Sequence, residues 1–193
     1  MKKNGLPTCK RLRVVLREAQ QSGNGGLGFH MWGTVVDRDG VVVAIAYTGE
    51  RLGDQWPGSR IISAQKANAA NSLSLDSFAL STANLYSAVQ PGGTLFGLED
   101  TNPINPEAVY GGDPKQYGTS RDFLIGRRPG GINVFGGGLA LYSAGGSDHR
   151  RSWGFRRLFV RRSQHRVEDA PYARTRLRAE WCRPDSHSRQ TER

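Results

Sequence analysis

Apolar and polar positions alternate most sharply between His30 and Tyr47. Met31, Gly33 and Val35 interleave with Trp32, Thr34 and Val36, the polar run Asp37-Arg38-Asp39-Gly40 interrupts, and Val41 to Tyr47 follows as a second β-branched run. The pattern predicts a β-hairpin, because an Asp-Gly step supplies the positive φ that a tight antiparallel turn needs. After a turn-rich stretch and Pro57-Gly58-Ser59, residues Arg60 to Asn71 read as a helix. Its apolar positions, Ile61, Ile62, Ala64, Ala67, Ala69 and Ala70, are mostly small, so it can lie close to a sheet, and Ser59 or Ser63 stands near its start as a cap. Earlier, Leu12, Val15, Leu16 and Ala19 recur at i, i+3, i+4 and i+7. That spacing predicts an amphipathic helix beginning near Pro7-Thr8 and ending by Ser22-Gly23.

The pattern weakens beyond the second helix. Ser81 to Val89 reads as a short helix stopped before Pro91, Gln90 to Gly93 as a turn, and Leu95 to Leu98 as a short apolar segment. Glu99 to Pro129 is rich in Pro, Gly and Asn, and a loop of that length inside a domain is usually mobile or functional. Ile132 to Phe135 and Leu139 to Tyr142, separated by three glycines, read as strands entering a sheet, with Gly145-Gly146 as a further hairpin turn.

Length allows one domain with a substantial core. The longest apolar run, Val41 to Tyr47, is far shorter than the ~20 residues of a membrane span. Lys2 and Lys3 lead into Gly5, Pro7 and Lys10-Arg11-Leu12-Arg13 where a secretory leader would be apolar, which makes a cytoplasmic location the expectation. Cys9 and Cys182 lack metal-type spacing and read as two separate thiols. The net charge is +10, but residues 147–193 alone hold 13 Arg against 6 Asp plus Glu, so the basicity belongs mainly to the tail. Gly23 to Gly28 spells G-x-G-x-x-G, yet a helix precedes it and a strand follows. A phosphate site needs the reverse order, so the segment reads as a flexible loop.

At the hairpin, helix and glycine-rich strand the chain resembles the GlcG/HbpS-type haem-binding (haem-degrading domain) family. The residues that carry the resemblance are Val35-Val36-Asp37-Arg38-Asp39-Gly40, Gly58-Ser59 leading to Ala64-Gln65-Lys66-Ala67-Asn68-Ala69-Ala70, and Gly137-Gly138-Leu139-Ala140-Leu141-Tyr142. Their order and spacing extend it over about Leu12 to Gly146. Ala140 departs from the proline usual in the family's glycine-rich segment, and the Glu99–Pro129 stretch is longer than in compact members. The resemblance implies an α+β fold, an antiparallel sheet flanked by helices in a profilin-like α/β/α sandwich. It also implies haem or a related tetrapyrrole as ligand, and self-assembly into a homo-oligomer.

The family pattern continues into a strand with a V-S-G motif and a helix with A-D-H-x-x-A-W, whereas this chain turns Arg-rich at Ser147. A reading-frame change near Ser147 accounts for the substitution, since the codons from Asp148 to Cys182, read one base later with permitted synonymous choices, can encode both missing motifs. On this reading residues 1–146 are an incomplete domain and residues 147–193 an irregular basic tail, with an unpaired sheet edge and uncovered apolar faces left behind. Sequencing the gene across the Ser147 codon is expected to reveal the shift; a shifted frame that encodes neither motif would rule it out.

Haem binding calls for an apolar slot and an axial side chain. His30 is the one histidine before the tail, and Tyr47, Tyr86, Tyr110, Tyr117 and Tyr142 are further candidates to ligate or stack. Arg60 and Lys66 can pair with haem propionates or a substrate carboxylate, against the alternative of a solvated helix face; Lys66 also matches the family's A-x-x-K-A segment. The ligand-binding candidates are therefore His30, Arg60, Lys66 and Tyr142. No H-E-x-x-H, C-x-x-C or P-loop signature occurs, and no Ser-His-Asp set can be assembled before the tail. Three functions compete: small-ligand binding; an enzyme or accessory acting on a small hydroxy acid or tetrapyrrole, with Glu99 to Pro129 as a lid; and nucleic-acid binding through the Arg- and aromatic-bearing tail.

Overall fold

The computed structural model describes residues 7–22 and 28–142. The expectations for residues 147–193, for Cys182, for the Gly145-Gly146 turn and for most of the Gly23–Gly28 loop lie outside the described residues.

Helix α1 spans Cys9–Gln21 and is capped by Thr8, whose hydroxyl oxygen accepts the Arg11 N–H at 3.2 Å. Strands β1 (Trp32–Val36) and β2 (Val42–Tyr47) pair antiparallel, with Trp32 opposite Tyr47 and Val35 opposite Ala44. The turn is built as its sequence requires: Gly40 has φ +76°, and the Asp37 carboxylate accepts the N–H groups of Asp39 and Val41 at 3.1 and 3.0 Å. Val36 faces Val42 rather than Val43, so one extra residue bulges out of β2. The bulge inverts the facing of what lies before it, which lets Val42 share a face with Ile45 three residues on.

Each face of the hairpin is covered by one helix. Leu12 and Leu16 of α1 meet Val35, Ala44 and Ala46. On the opposite face Ala64 of α2 (Ser59–Leu73) joins Trp32, Val42 and Ile45. The fold is α+β, with helices on one two-stranded antiparallel sheet among the described residues. Neither expected serine caps α2 through its side chain: Gly58 is the N-cap, Ser59 Oγ donates back to Trp56 O, and Ser63 Oγ donates to Arg60 O.

Three stretches depart from the sequence reading. The expected helix from Ser81 to Val89 is a 3-10 turn, Thr82–Leu85, followed by turns. Glu99 to Pro129 contains a short helix, α3 (Pro106–Tyr110), and a 3-10 turn, Pro114–Gln116, and its Ala108, Val109 and Leu124 complete the cluster around Trp32. The segments 132–135 and 139–142 are not sheet strands. Their backbone is satisfied by side chains in place of a ladder: Val134 N–H donates to Glu99 Oε1, Phe135 O accepts from the Thr82 hydroxyl, and Leu139 makes a single bridge with Ser81. Ile132 and Val134 still bury, against Ala69 and Leu85.

Candidate functional site

Arg60 lies in the first turn of α2, and it is buried rather than on a solvated face. Its Nε donates to Asp122 Oδ2 at 3.1 Å, its Nη2 to Asp122 Oδ1, and its Nη1 to Val109 O at 2.6 Å. The guanidinium stands 3.8 Å from the Tyr117 ring centroid. Asp122 also accepts the N–H groups of Gly118 and Leu124 at 2.7 and 2.9 Å. Arg60 is thus a strut between α2 and the 109–124 stretch, with its donors directed at protein acceptors. That stretch, anchored by an ion pair and by core residues, is part of the body of the domain, which is not the arrangement of a free lid.

Six residues further along α2, Lys66 is half-buried and its Nζ donates to Gly136 O at 2.9 Å. Burial pushes its amine below the ordinary lysine value of 10.5. A base with a depressed folded-state pKa costs the fold stability while it is charged; the cost is fully present below the folded pKa and is lifted as pH rises from there to the unfolded value. The glycine loop beside it is positioned by Thr82, which is fully buried: its hydroxyl donates to Phe135 O at 2.6 Å and accepts the Gly138 N–H at 2.9 Å. A β-carbon at Gly138 would stand 2.5 Å from Lys66 O and 2.6 Å from Thr82 Cγ2, so glycine is required for the loop to lie on α2.

Tyr142 closes the same segment. Its hydroxyl donates to Leu75 O at 2.6 Å. Residues 75–82 and 135–142 are therefore tied together at both ends, and along them Leu75, Phe78, Phe135, Leu139 and Tyr142 are each 41–61% exposed. Large apolar side chains left exposed on two joined segments make this stretch the candidate binding surface.

His30 is elsewhere. It is exposed at the end of the hairpin away from the Asp37–Gly40 turn, with Nδ1 3.0 Å from Thr48 Oγ1. Lys66 and Tyr142 are brought to one segment, and His30 and Arg60 are not part of it. Between the hairpin turn and α2 lies a polar depression of about 300 Å³ lined by Arg38, Asp39, Gly40, Asn68, Asn71 and Ser72. Its amides are already used, Asn71 Nδ2 on Arg38 O and Asn68 Nδ2 on Gly131 O. Cys9 carries a free thiol whose pKa is raised chiefly by burial.

Thr82 and Asp122 escaped sequence reasoning. Thr82 sits in a polar run that signals only a helix start, and Asp122 lies 62 residues from the arginine it pairs with. Among the described residues no group of three or more His, Cys, Asp or Glu could hold a metal ion, and no helix is long and apolar enough to cross a membrane. No family model, curated protein or solved structure matches the chain.

Proposed function

We propose that this protein binds a small, largely apolar ligand, haem or a related tetrapyrrole, on the surface formed by residues 75–82 and 135–142. The observation that carries the reading is the set of exposed Leu75, Phe78, Phe135, Leu139 and Tyr142 on two tied segments, one of which meets the Lys66 ammonium at Gly136 O, a combination that suits a flat apolar ring system with acidic side groups. Phe78, Phe135 and Leu139 would lie against the macrocycle, and Tyr142 is the candidate axial group on this surface once its hydroxyl gives up Leu75 O for the iron, a role tyrosine fills in some haem proteins. The resemblance to the GlcG/HbpS-type family supports the same ligand class. It also supports a cytoplasmic homo-oligomer and a profilin-like sandwich in which the hairpin, with α1 and α2 on its two faces, is the first half.

Titration of the full chain with haemin is expected to give a saturable change in the Soret band, weakened by Phe135→Ser and displaced in position by Tyr142→Phe. A linear, non-saturating response, or saturation untouched by both substitutions, would overturn the assignment.

A further inference from the structure

We propose that the outer edge of β1 is a strand-addition site, which takes an extended, uncharged segment of a partner protein, rich in β-branched residues. The inference stands apart from the tetrapyrrole reading.

Thr48 N–H donates to Met31 O at 3.0 Å and Asp37 N–H to Val41 O at 2.9 Å. Bonded and non-bonded pairs alternate along an antiparallel ladder. Gly33 and Val35 therefore bond across to Ala46 and Ala44, and the N–H and C=O groups of Trp32, Thr34 and Val36 point away from β2. Among the described residues none of these outward groups has a hydrogen-bond partner. The other edge of the hairpin is closed where it starts, since Val42 N–H donates to Arg127 O and Val42 O accepts from Gly126 N–H, both at 2.9 Å. Trp32 and Thr34 are 5% and 8% exposed, so water reaches little of the β1 edge. An unpaired backbone group so placed costs about as much as a lost hydrogen bond, and a strand laid beside β1 removes that cost. Nor does β1 carry what keeps strands off an edge: its sequence, WGTVV, has no proline and no charge.

The helices decide what fits there. α2 packs on β1, where Ser63 Oγ lies 2.7 Å from Thr34 Oγ1, and α1 packs chiefly on β2. A helix is about 10–12 Å across with its side chains and strands lie about 4.7–4.9 Å apart, so α2 overhangs the place of a strand beside β1. A second copy pairing antiparallel through its own β1 would bring its own α2 over that place. The two helices would then stand one strand spacing apart on the same face, whereas packed helices need about 8–10 Å. A bare extended segment brings no helix. Its backbone would bond to Trp32, Thr34 and Val36 while alternate side chains pass beneath α2, which is the geometry of strand addition. Burial beneath a helix excludes charge on the segment, and β-branched residues suit its extended backbone.

The test is amide hydrogen exchange of the full chain, followed by NMR, alone and with the peptide acetyl-KVTVTVK-amide, whose lysines lie outside the five-residue core and keep it soluble. In the free chain the Trp32, Thr34 and Val36 amides are expected to exchange about tenfold or more faster than those of Gly33 and Val35, the scale of one hydrogen bond. The peptide is expected to bind saturably and to slow those three amides selectively. The same peptide N-methylated at every residue keeps the side chains, loses the donors, and is expected not to bind. Uniform protection along β1 in the free chain, no slowing with peptide, or an equal effect of the N-methylated peptide would each overturn the assignment. Protection of the three amides that grows with chain concentration alone would give the edge to a second copy and overturn the partner segment.

Discussion

Replacing Arg60 with alanine is expected to lower the unfolding free energy by about 3–5 kcal/mol, the cost of breaking a buried ion pair by removing one partner. The Arg60 and Asp122 side chains are 3% and 0% exposed, and three guanidinium nitrogens bond to Asp122 and Val109 O. Alanine would strand the Asp122 carboxylate in the interior with only the Gly118 and Leu124 N–H groups to stabilise it. It would also remove the plane lying over Tyr117, whose hydroxyl donates at 3.2 Å to Tyr110 O and Gly111 O and helps shape the same stretch. Since a domain of this size is held by roughly 5–15 kcal/mol in all, the variant should unfold at much lower denaturant concentration. The double replacement Arg60→Met with Asp122→Leu removes both charges and is expected to be less damaging than Arg60→Ala, because no unpaired ion remains. Urea midpoints decide it: a single-variant loss below about 1 kcal/mol, the range of exposed pairs, would show that the pair is solvated and is no strut.

Leu16→Ala is the second large loss, about 3–5 kcal/mol for a fully enclosed leucine whose site cannot collapse freely. Leu16 and Leu12 are the buried residues of α1 and seat it on Val35, Ala44 and Ala46. Their helix is also pinned by Arg13 Nη2 on Gly49 O at 2.7 Å and Arg17 Nε on Thr48 O at 2.9 Å. The sheet answers Leu16 with a glycine: a β-carbon at Gly33 would lie 2.7 and 2.8 Å from the two Leu16 methyl carbons. Gly33→Ala alone therefore overpacks the interface, at a cost of about 1–3 kcal/mol. In the Leu16→Ala background the same methyl enters the space just vacated. The two losses are expected to fall short of additivity by about 0.5–3 kcal/mol, the range for residues in contact, and additive thermal or urea data would mean that Gly33 and Leu16 do not share a packing site.

The polar residues near Lys66 show why the candidate site was only partly legible. Lys66 itself was accessible to sequence reasoning, since it lies on a recognisable helix and in a resembling segment. Its acceptor, Gly136 O, is 70 residues away, and glycine repeats carry no signal of what will lie in front of them. Tyr142 was legible as an aromatic residue beside a glycine run, but its hydrogen bond to Leu75 O depends on a loop 67 residues earlier. Arg60 shows the limit most clearly, because the choice between a solvated helix face and a ligand contact left out the buried partner that the structure supplies.

By itself the sequence determined the hairpin, its turn and the two long helices, because the Asp37–Gly40 chemistry, the alternation in both strands and the Leu12-Leu16 spacing act within a few residues of chain. Only the tertiary structure decided that residues 132–142 would be bonded by Thr82 and Glu99 side chains instead of a ladder, that the Pro- and Gly-rich stretch would furnish Ala108, Val109 and Leu124 to the core around Trp32, and that Arg60 would be a strut while Lys66 faces a glycine loop. The physical reason is range: a turn or a helical period is decided by neighbours, whereas burial, charge pairing and strand partnership depend on which distant residue arrives at the other side.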